Sequence, residues 1–401
     1  MTTSQRAPLQ APQQAPLRAA MRPFGVSVFS RVTELAARHS AINLAQGFPD
    51  FDPPAALIEA AEEAMRQHVN QYAPSPGLPT LRRAVAAHSE RHYGVGYDPD
   101  TEVTVTAGAT EAMWSATTAL LEPGDEAVII EPYYETYAPC VAAAGGTVRF
   151  VPTTFPDFQI DLDRLAAAFS PRTRLVFVNS PGNPSGRLIT PEEYIVLAEL
   201  AERYDAYLIS DETYEHLTYD RRAHLRASAV PGCRDRTLVL SSASKTFSAT
   251  GWRVGWVLAP PPVTEAIRRV HQFVTFAAPS PLQWAVAAAL DSSAYDDYLD
   301  ELATEYHARR DVLLSYLART ELSAVAPEGG YFVMARCPGD DVAWCEDLAA
   351  RVRVAAIPGS AFYHDRSGGR DLVRFAFCKQ LPTLHEAGAR LTGQSISPPP
   401  D

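Results

Sequence analysis

The sequence predicts an α/β protein: a large domain with a mostly parallel seven-stranded sheet between helices, followed by a smaller α+β domain. Three observations predict it. From about Thr101 to Pro260, short β-rich runs alternate with amphipathic helical stretches, the texture of a parallel sheet with helices on both faces. Those runs are continuous in Val, Ile and Leu, as strands buried on two sides tend to be. Beyond Pro281 the texture changes to long helices with a few shorter strands.

In chain order, the strand candidates of the large domain are Glu102–Thr106, Glu126–Ile130, Thr147–Val151, Arg174–Val178, Ala206–Ser210, Thr237–Ser241 and Arg253–Leu258. Helical patterns such as Thr110–Leu121 and Pro191–Tyr204 separate most of them. The later part is expected to hold helices at about Ser280–Leu290 and Tyr295–Arg319, then strands at Tyr331–Ala335 and Leu372–Ala376. A single amphipathic helix, about Val28–His39, is too little to fold alone and is expected to pack with the C-terminal domain. The division expected is a disordered tail over 1–22, an N-terminal arm over 23–46, the large domain over 47–290, the small domain over 291–394 and a second tail over 395–401.

The chain has 401 residues, 46% of them hydrophobic, with a formal net charge of −12 and a pI near 5.3. That balance argues against a nucleic-acid backbone binder, while leaving room for small anions held by a few placed cations. Cys140, Cys233, Cys337, Cys345 and Cys378 form no C-x-x-C pair, so neither a disulfide framework nor a metal site is expected. Met1 to Ala20 lacks a continuous apolar segment, and no apolar run approaches the roughly 20 residues a membrane helix needs. A cytoplasmic protein without membrane association is expected.

Ligands of open α/β sheets gather at the carboxyl ends of strands. After Glu102–Thr106 comes Ala107-Gly108-Ala109-Thr110, a small-residue turn that reads either as an ordinary N-cap or as a phosphate site. After Arg174–Val178 comes Asn179-Ser180-Pro181-Gly182-Asn183-Pro184, a rigid turn whose Asn183 can donate from its amide. After Ala206–Ser210 comes Asp211-Glu212-Thr213-Tyr214. An aspartate at a buried strand end needs a cation or strong donor; a protonated pyridine nitrogen would serve, and a helix cap is the plainer reading. After Thr237–Ser241 comes Ser242-Ala243-Ser244-Lys245, with Arg253 eight residues beyond the lysine. A desolvated lysine has a lowered pKa and becomes a Schiff-base nucleophile, while Ser242 and Arg253 could hold a phosphate. The same four residues satisfy S-x-x-K, but the companion S-D-N and K-T-G elements of serine acyl-transfer enzymes are absent from the sequence.

The sequence resembles the fold-type I, class I aminotransferases, within them the kynurenine/glutamine aminotransferases and their bacterial methionine aminotransferase relatives. The likeness runs from about Phe24 to Leu391. It rests on Asn43–Phe51, Asn70–Ala73, Val105–Ala112, Ser210–Tyr214, Ser244–Arg253 and Arg374–Phe377, six motifs in the family's order. The resemblance implies pyridoxal 5'-phosphate as cofactor. Lys245 would form the Schiff base and shuttle the substrate proton, and Asp211 would hold the pyridine nitrogen protonated. Asn183 and Tyr214 would bond the phenolic oxygen, and Tyr133 would stack on the ring. Gly108, Ala109, Thr110, Ser242 and Arg253 would cradle the phosphate, with Tyr72 reaching it from the partner of a homodimer. Arg374 would clamp the substrate carboxylate, helped by Gly47 and Asn183; Phe29, Tyr331 and Phe276 would wall the side-chain pocket.

Kynurenine aminotransferases of the mammalian type tend to carry Trp where Phe29 stands and His where Ala277 stands, so the pattern leans to methionine, aromatic and other large neutral donors. The reaction implied is a ping-pong transamination between an amino acid and a 2-oxo acid. A cysteine-conjugate or cystathionine-type β-lyase could use the same lysine. A non-enzymatic sensor is a remoter alternative, because the sequence has no basic N-terminal DNA-binding module.

Overall fold

In a computed structural model describing residues 18–393, the seven expected strands form one sheet. Its order is Val103–Thr106, Gly255–Leu258, Thr237–Ser242, Tyr207–Asp211, Thr173–Asn179, Glu126–Glu131, Thr147–Pro152. Only Gly255–Leu258 runs antiparallel to its neighbours. The two-sided burial read from the sequence has a simple basis in the pleat. Val128, Val176, Val178 and Leu208 meet Tyr194, Leu197 and Leu200 of helix Pro191–Tyr204 on one face. Ile129, Phe177, Ile209, Leu238 and Leu240 meet Met113, Ala116 and Ile267 on the other. Each of the Val, Leu, Ile, Phe and Met side chains contributes roughly 1.5–3 kcal/mol by leaving water.

Local signals set the helix ends. Pro191–Tyr204 starts with a capping box between Thr190 and Glu193, carries Pro191 in its first turn, and stops at a left-handed Asp205. Helices Ala55–Arg66 and Pro79–Tyr93, which the sequence reading did not name, pack with Ser280–Leu290 and the Val103–Thr106 edge.

The smaller lobe has a four-stranded antiparallel sheet ordered Ile357–Pro358, Leu372–Ala376, Phe332–Arg336, Ser323–Ala324. Helix Tyr295–Leu317 spans both lobes: Tyr295 packs in the core with Phe247, whereas Leu302, Tyr306 and Leu313 pack with Phe375 and Phe377. The arm helix Val28–His39 lays Val28, Val32 and Ala36 on Ala355, Ile357 and Phe362. Next to it Ile42–Asn43 pairs in parallel with Val354–Ala355.

Three boundaries differ from expectation in ways that matter. Arg253 is not on a strand; it has a left-handed backbone (φ 55°), and the strand starts at Gly255. Tyr331 precedes its strand, after a left-handed Gly330. Part of the expected N-terminal tail is structured: Ala19–Met21 is a 3-10 turn, and Arg18 donates to the Ala143 carbonyl at 2.7 Å. The rest of that tail, and the expected tail at 395–401, lie outside the described residues. Among the described residues no helix is long and apolar enough to cross a membrane.

Candidate active site

The carboxyl ends of three adjacent parallel strands bring Asn179, Asp211 and Ser242 to one edge of a cleft. Asp211 is buried. Tyr137 donates its hydroxyl to Oδ2 at 2.9 Å, and the Thr213 N–H approaches Oδ1 at 3.3 Å. Burial pushes the Asp211 pKa up, while Tyr137, Thr213 and the Lys245 charge oppose the shift. Such a carboxylate gains from a cationic partner. Asn179 braces the same corner: its Nδ2 donates to the Asp211 carbonyl at 2.8 Å, and its Oδ1 accepts from the Asn183 N–H at 2.6 Å.

One end of the cleft is built for an anion. Helix Ala109–Leu120 starts at Gly108, whose φ is 81°, and Ala109 and Thr110 line the cleft. Its first-turn N–H groups lack intrahelical acceptors. A Cβ on Gly108 would lie 2.3 Å from Arg253 Nη2, and one on Gly255 would lie 2.6 Å from the Gly108 carbonyl carbon. Only glycines let the guanidinium and the helix start come so close. Ser242, Ser244 and Thr250 complete this end.

Lys245 follows the Thr237–Ser242 strand on a short helix and projects into the cleft, its Nζ 3.5 Å from the Gly47 carbonyl. Burial pushes its pKa down to about 8; Arg253 and Arg374 add to the fall, and Cys378 and Asp211 resist it. At the far end Arg374 is fully buried. It donates to Asn183 Oδ1 at 2.7 Å and to the Ala45 carbonyl at 2.6 Å. Its Nε has no partner among the described residues, and burial lowers its pKa to about 10. The guanidinium lies 3.9 Å from the Phe332 ring centre and 5.3 Å from that of Phe29.

Phe29, Gly47, Ala109, Thr110, Asn183, Asp211, Tyr214, Ser242, Lys245, Arg253 and Arg374 therefore share one cleft of about 330 Å³, with Gly108 directly behind it. Three expected placements need correction. Tyr133 does not line this cleft; its N–H donates to the Phe362 carbonyl and its ring packs on Phe150, 5.5 Å between centres. That turns the next residue, Tyr134, to the cleft. Tyr331 stands behind the wall, donating its hydroxyl to the Gly47 carbonyl at 2.5 Å. Gly47 thus presents a carbonyl already shared by Tyr331 and Lys245. Phe276 is outside this chain's cleft, edge-on to Tyr72 at 5.3 Å, and the two are 45% and 85% exposed. Sequence reasoning missed Tyr134, Tyr137, Asn179 and Phe332. The strand-ending Asn179 was within reach of the strand-end rule, and Tyr137 opens a helix three residues beyond Tyr134.

A ligand with an anionic group, a basic ring nitrogen and a carbonyl would satisfy the helix start, Asp211 and Lys245 at once, and pyridoxal phosphate has all three. Fold and cleft together define a pyridoxal-phosphate enzyme of the α/β kind. The profile of the family described as aminotransferase class I and II matches residues 39–389. The chain belongs to that family, and it is a pyridoxal-phosphate-dependent transaminase. It is 42% identical to a probable N-succinyldiaminopimelate aminotransferase of Mycobacterium tuberculosis, over 93% of this chain and 97% of that protein. It is 40% identical to the methionine aminotransferase of Escherichia coli, over 92% and 95%. The solved structure of an Escherichia coli protein with methionine aminotransferase function superposes with a TM-score of 0.89 at 38% identity, covering 94% of this chain and all of that one.

Proposed function

We propose that the enzyme transfers the amino group of a large neutral amino acid, of the methionine, aromatic, glutamine or kynurenine type, to a 2-oxo acid. One observation carries the substrate class. The cations lining the cleft are Lys245, Arg253 and Arg374, and each has a task in holding the cofactor or the substrate α-carboxylate. Phe29 and Phe332 lie against Arg374, and Phe48 and Tyr134 add to the aromatic lining of the cleft, which suits an uncharged side chain. A donor with a second carboxylate would find no further cation among these residues.

When bound, pyridoxal phosphate supplies an electron sink that makes the substrate Cα–H acidic. Asp211 would keep the ring nitrogen protonated, and Tyr137 and Thr213 hold its carboxylate in place. Asn183 gives its Oδ1 to Arg374, so its amide N–H groups, with the Tyr214 hydroxyl, would be the donors to the cofactor's phenolic oxygen. Arg374 binds the α-carboxylate through its guanidinium edge, orienting Cα. Lys245 takes the Cα proton in the amine form that burial favours. Ala109, Thr110, Ser242 and Arg253 would hold the phosphate, and Tyr134, which also lines the cleft, would cover the ring.

We further infer a homodimer in which Tyr72 and Phe276 serve the partner's cleft. Support comes from their exposure and from the adjoining Phe273 and Val274, 86% and 55% exposed, an apolar patch that suits a subunit contact. Five buried free thiols support a cytoplasmic setting.

The test is a donor panel with a fixed 2-oxo acid. Methionine and phenylalanine should exceed aspartate and N-succinyldiaminopimelate in kcat/KM by at least tenfold. Preference for the second-carboxylate donors would overturn the substrate reading, and pyruvate with ammonia from a cysteine conjugate as the main products would favour the lyase reaction.

A further inference from the structure

Behind the segment that carries Asp211 and Tyr214 lies a buried ionic network that the transamination chemistry does not use. Arg226 is its centre, with 1% of its surface exposed. Its Nε donates to Glu212 at 3.2 Å, and its Nη2 pairs closely with Glu215. Its Nη1 has no hydrogen-bond partner among the described residues; the Tyr93 ring centre lies 3.8 Å from the guanidinium carbon. Glu212 is saturated: it also accepts from the Ser210 hydroxyl at 2.9 Å, the Ala227 N–H at 3.0 Å and His224 at 2.8 Å. Glu215 also accepts from the Ser241 hydroxyl, next to Ser242.

The register is what links this network to the cleft. Along Asp211–His216, Asp211 and Tyr214 line the cleft, while Glu212 and Glu215 join Arg226. His216 continues the network to His88, Nε2 to Nε2 at 3.0 Å, and toward Tyr295 at 3.3 Å. Ligand atoms of His88, Glu215 and His216 lie within 4.8 Å of one another. They do not make a metal site, because Glu215 gives its oxygens to Ser241 and Arg226, and a divalent ion would sit beside a buried guanidinium.

We propose that Arg226 is a positioning residue for the cofactor: by clamping Glu212 and Glu215 it fixes the backbone that aims Asp211 and Tyr214 into the cleft. This rests on the reading of those two residues as cofactor ligands. The network contains two carboxylates and one guanidinium, the facing imidazoles of His88 and His216 being kept neutral by burial. The other groups facing Arg226 are Tyr93, Tyr97 and His224. Asp211 itself faces Tyr137, Tyr214 and Lys245. Removing Arg226 leaves a second unbalanced carboxylate one residue from Asp211, and a like charge favours protonation of the aspartate.

The experiment measures the dissociation constant of pyridoxal phosphate against pH for the wild type, Arg226→Met, Arg226→Lys and the double variant Arg226→Met/Glu215→Gln. Thermal stability of each cofactor-free form is recorded alongside. Arg226→Met should weaken binding at least tenfold at pH 8 and move the acid limb of affinity to higher pH. Arg226→Lys should keep the limb near its wild-type position. The double variant restores the native charge count and should return the limb, even where Arg226→Met melts early. A merely structural role would lower the melting temperature and leave the limb unmoved, which would overturn the proposal. Asp211→Asn is the control: if it leaves affinity unchanged, the underlying reading of the site fails instead.

Discussion

Arg226 and Arg374 are both buried arginines, and the contrast between them separates a cation that builds the fold from one that waits for a ligand. Arg226 meets Glu212 and Glu215; burial alone would weaken its charge, but the two carboxylates outweigh it and raise its pKa. Among the described residues Arg374 donates only to the Asn183 amide oxygen and the Ala45 carbonyl, and burial wins, lowering its pKa to about 10. A buried ion pair is closed. A buried cation held by neutral acceptors has unspent attraction for an anion.

The largest effect expected from this contrast is on folding. Arg226→Met strands two buried carboxylates and should cost about 3–5 kcal/mol of stability, measured by denaturant unfolding of the cofactor-free protein; a loss below 1 kcal/mol would contradict the closed-pair reading. Arg374→Met should lower kcat/KM for methionine by about 30- to 1000-fold, or about 2–4 kcal/mol, with melting temperature unchanged or raised. If it destabilises the protein as Arg226→Met does, the contrast fails.

Lys245 sharpens the same idea. Its pKa is about 8 in the fold against 10.5 for the free side chain. The folded cofactor-free protein thus binds fewer protons than the unfolded chain between those values, and stability rises with pH across that window. At pH 7 the lysine is a liability of up to about 3 kcal/mol. Lys245→Met should therefore be the more stable protein at pH 7, with the advantage fading from pH 8 to 10.5; urea midpoints across pH check it. The smallest effect is at the phosphate end, where Gly108→Ala places a Cβ against Arg253 and should weaken pyridoxal phosphate binding about tenfold, about 1.4 kcal/mol.

Most of the cofactor end of the cleft was legible because its residues follow strands, and a strand end is visible in one sequence; Arg253, which precedes a strand, is the exception. Gly108, Asn183, Asp211, Ser242 and Lys245 all come from that rule. The substrate end was less so. Arg374 and Phe29 were found only through motif resemblance, and Phe332, one more apolar residue of a short strand run, was not singled out. Tyr133 was chosen over Tyr134 because two adjacent tyrosines are indistinguishable until a hydrogen bond to Phe362 fixes which one turns inward. The Arg226 network gave no sequence signal: His88, Glu212, Glu215, His216 and Arg226 come from three segments, and only the folded chain brings their charges together.

The central claim, amino transfer through Lys245, is tested most directly by mixing the cofactor-loaded enzyme with L-methionine and no 2-oxo acid. The account predicts one equivalent of methionine's 2-oxo acid per chain and then arrest, turnover resuming when a second 2-oxo acid is added, and no product from Lys245→Ala. Continuous formation of product without an acceptor, or undiminished turnover by Lys245→Ala, would contradict it.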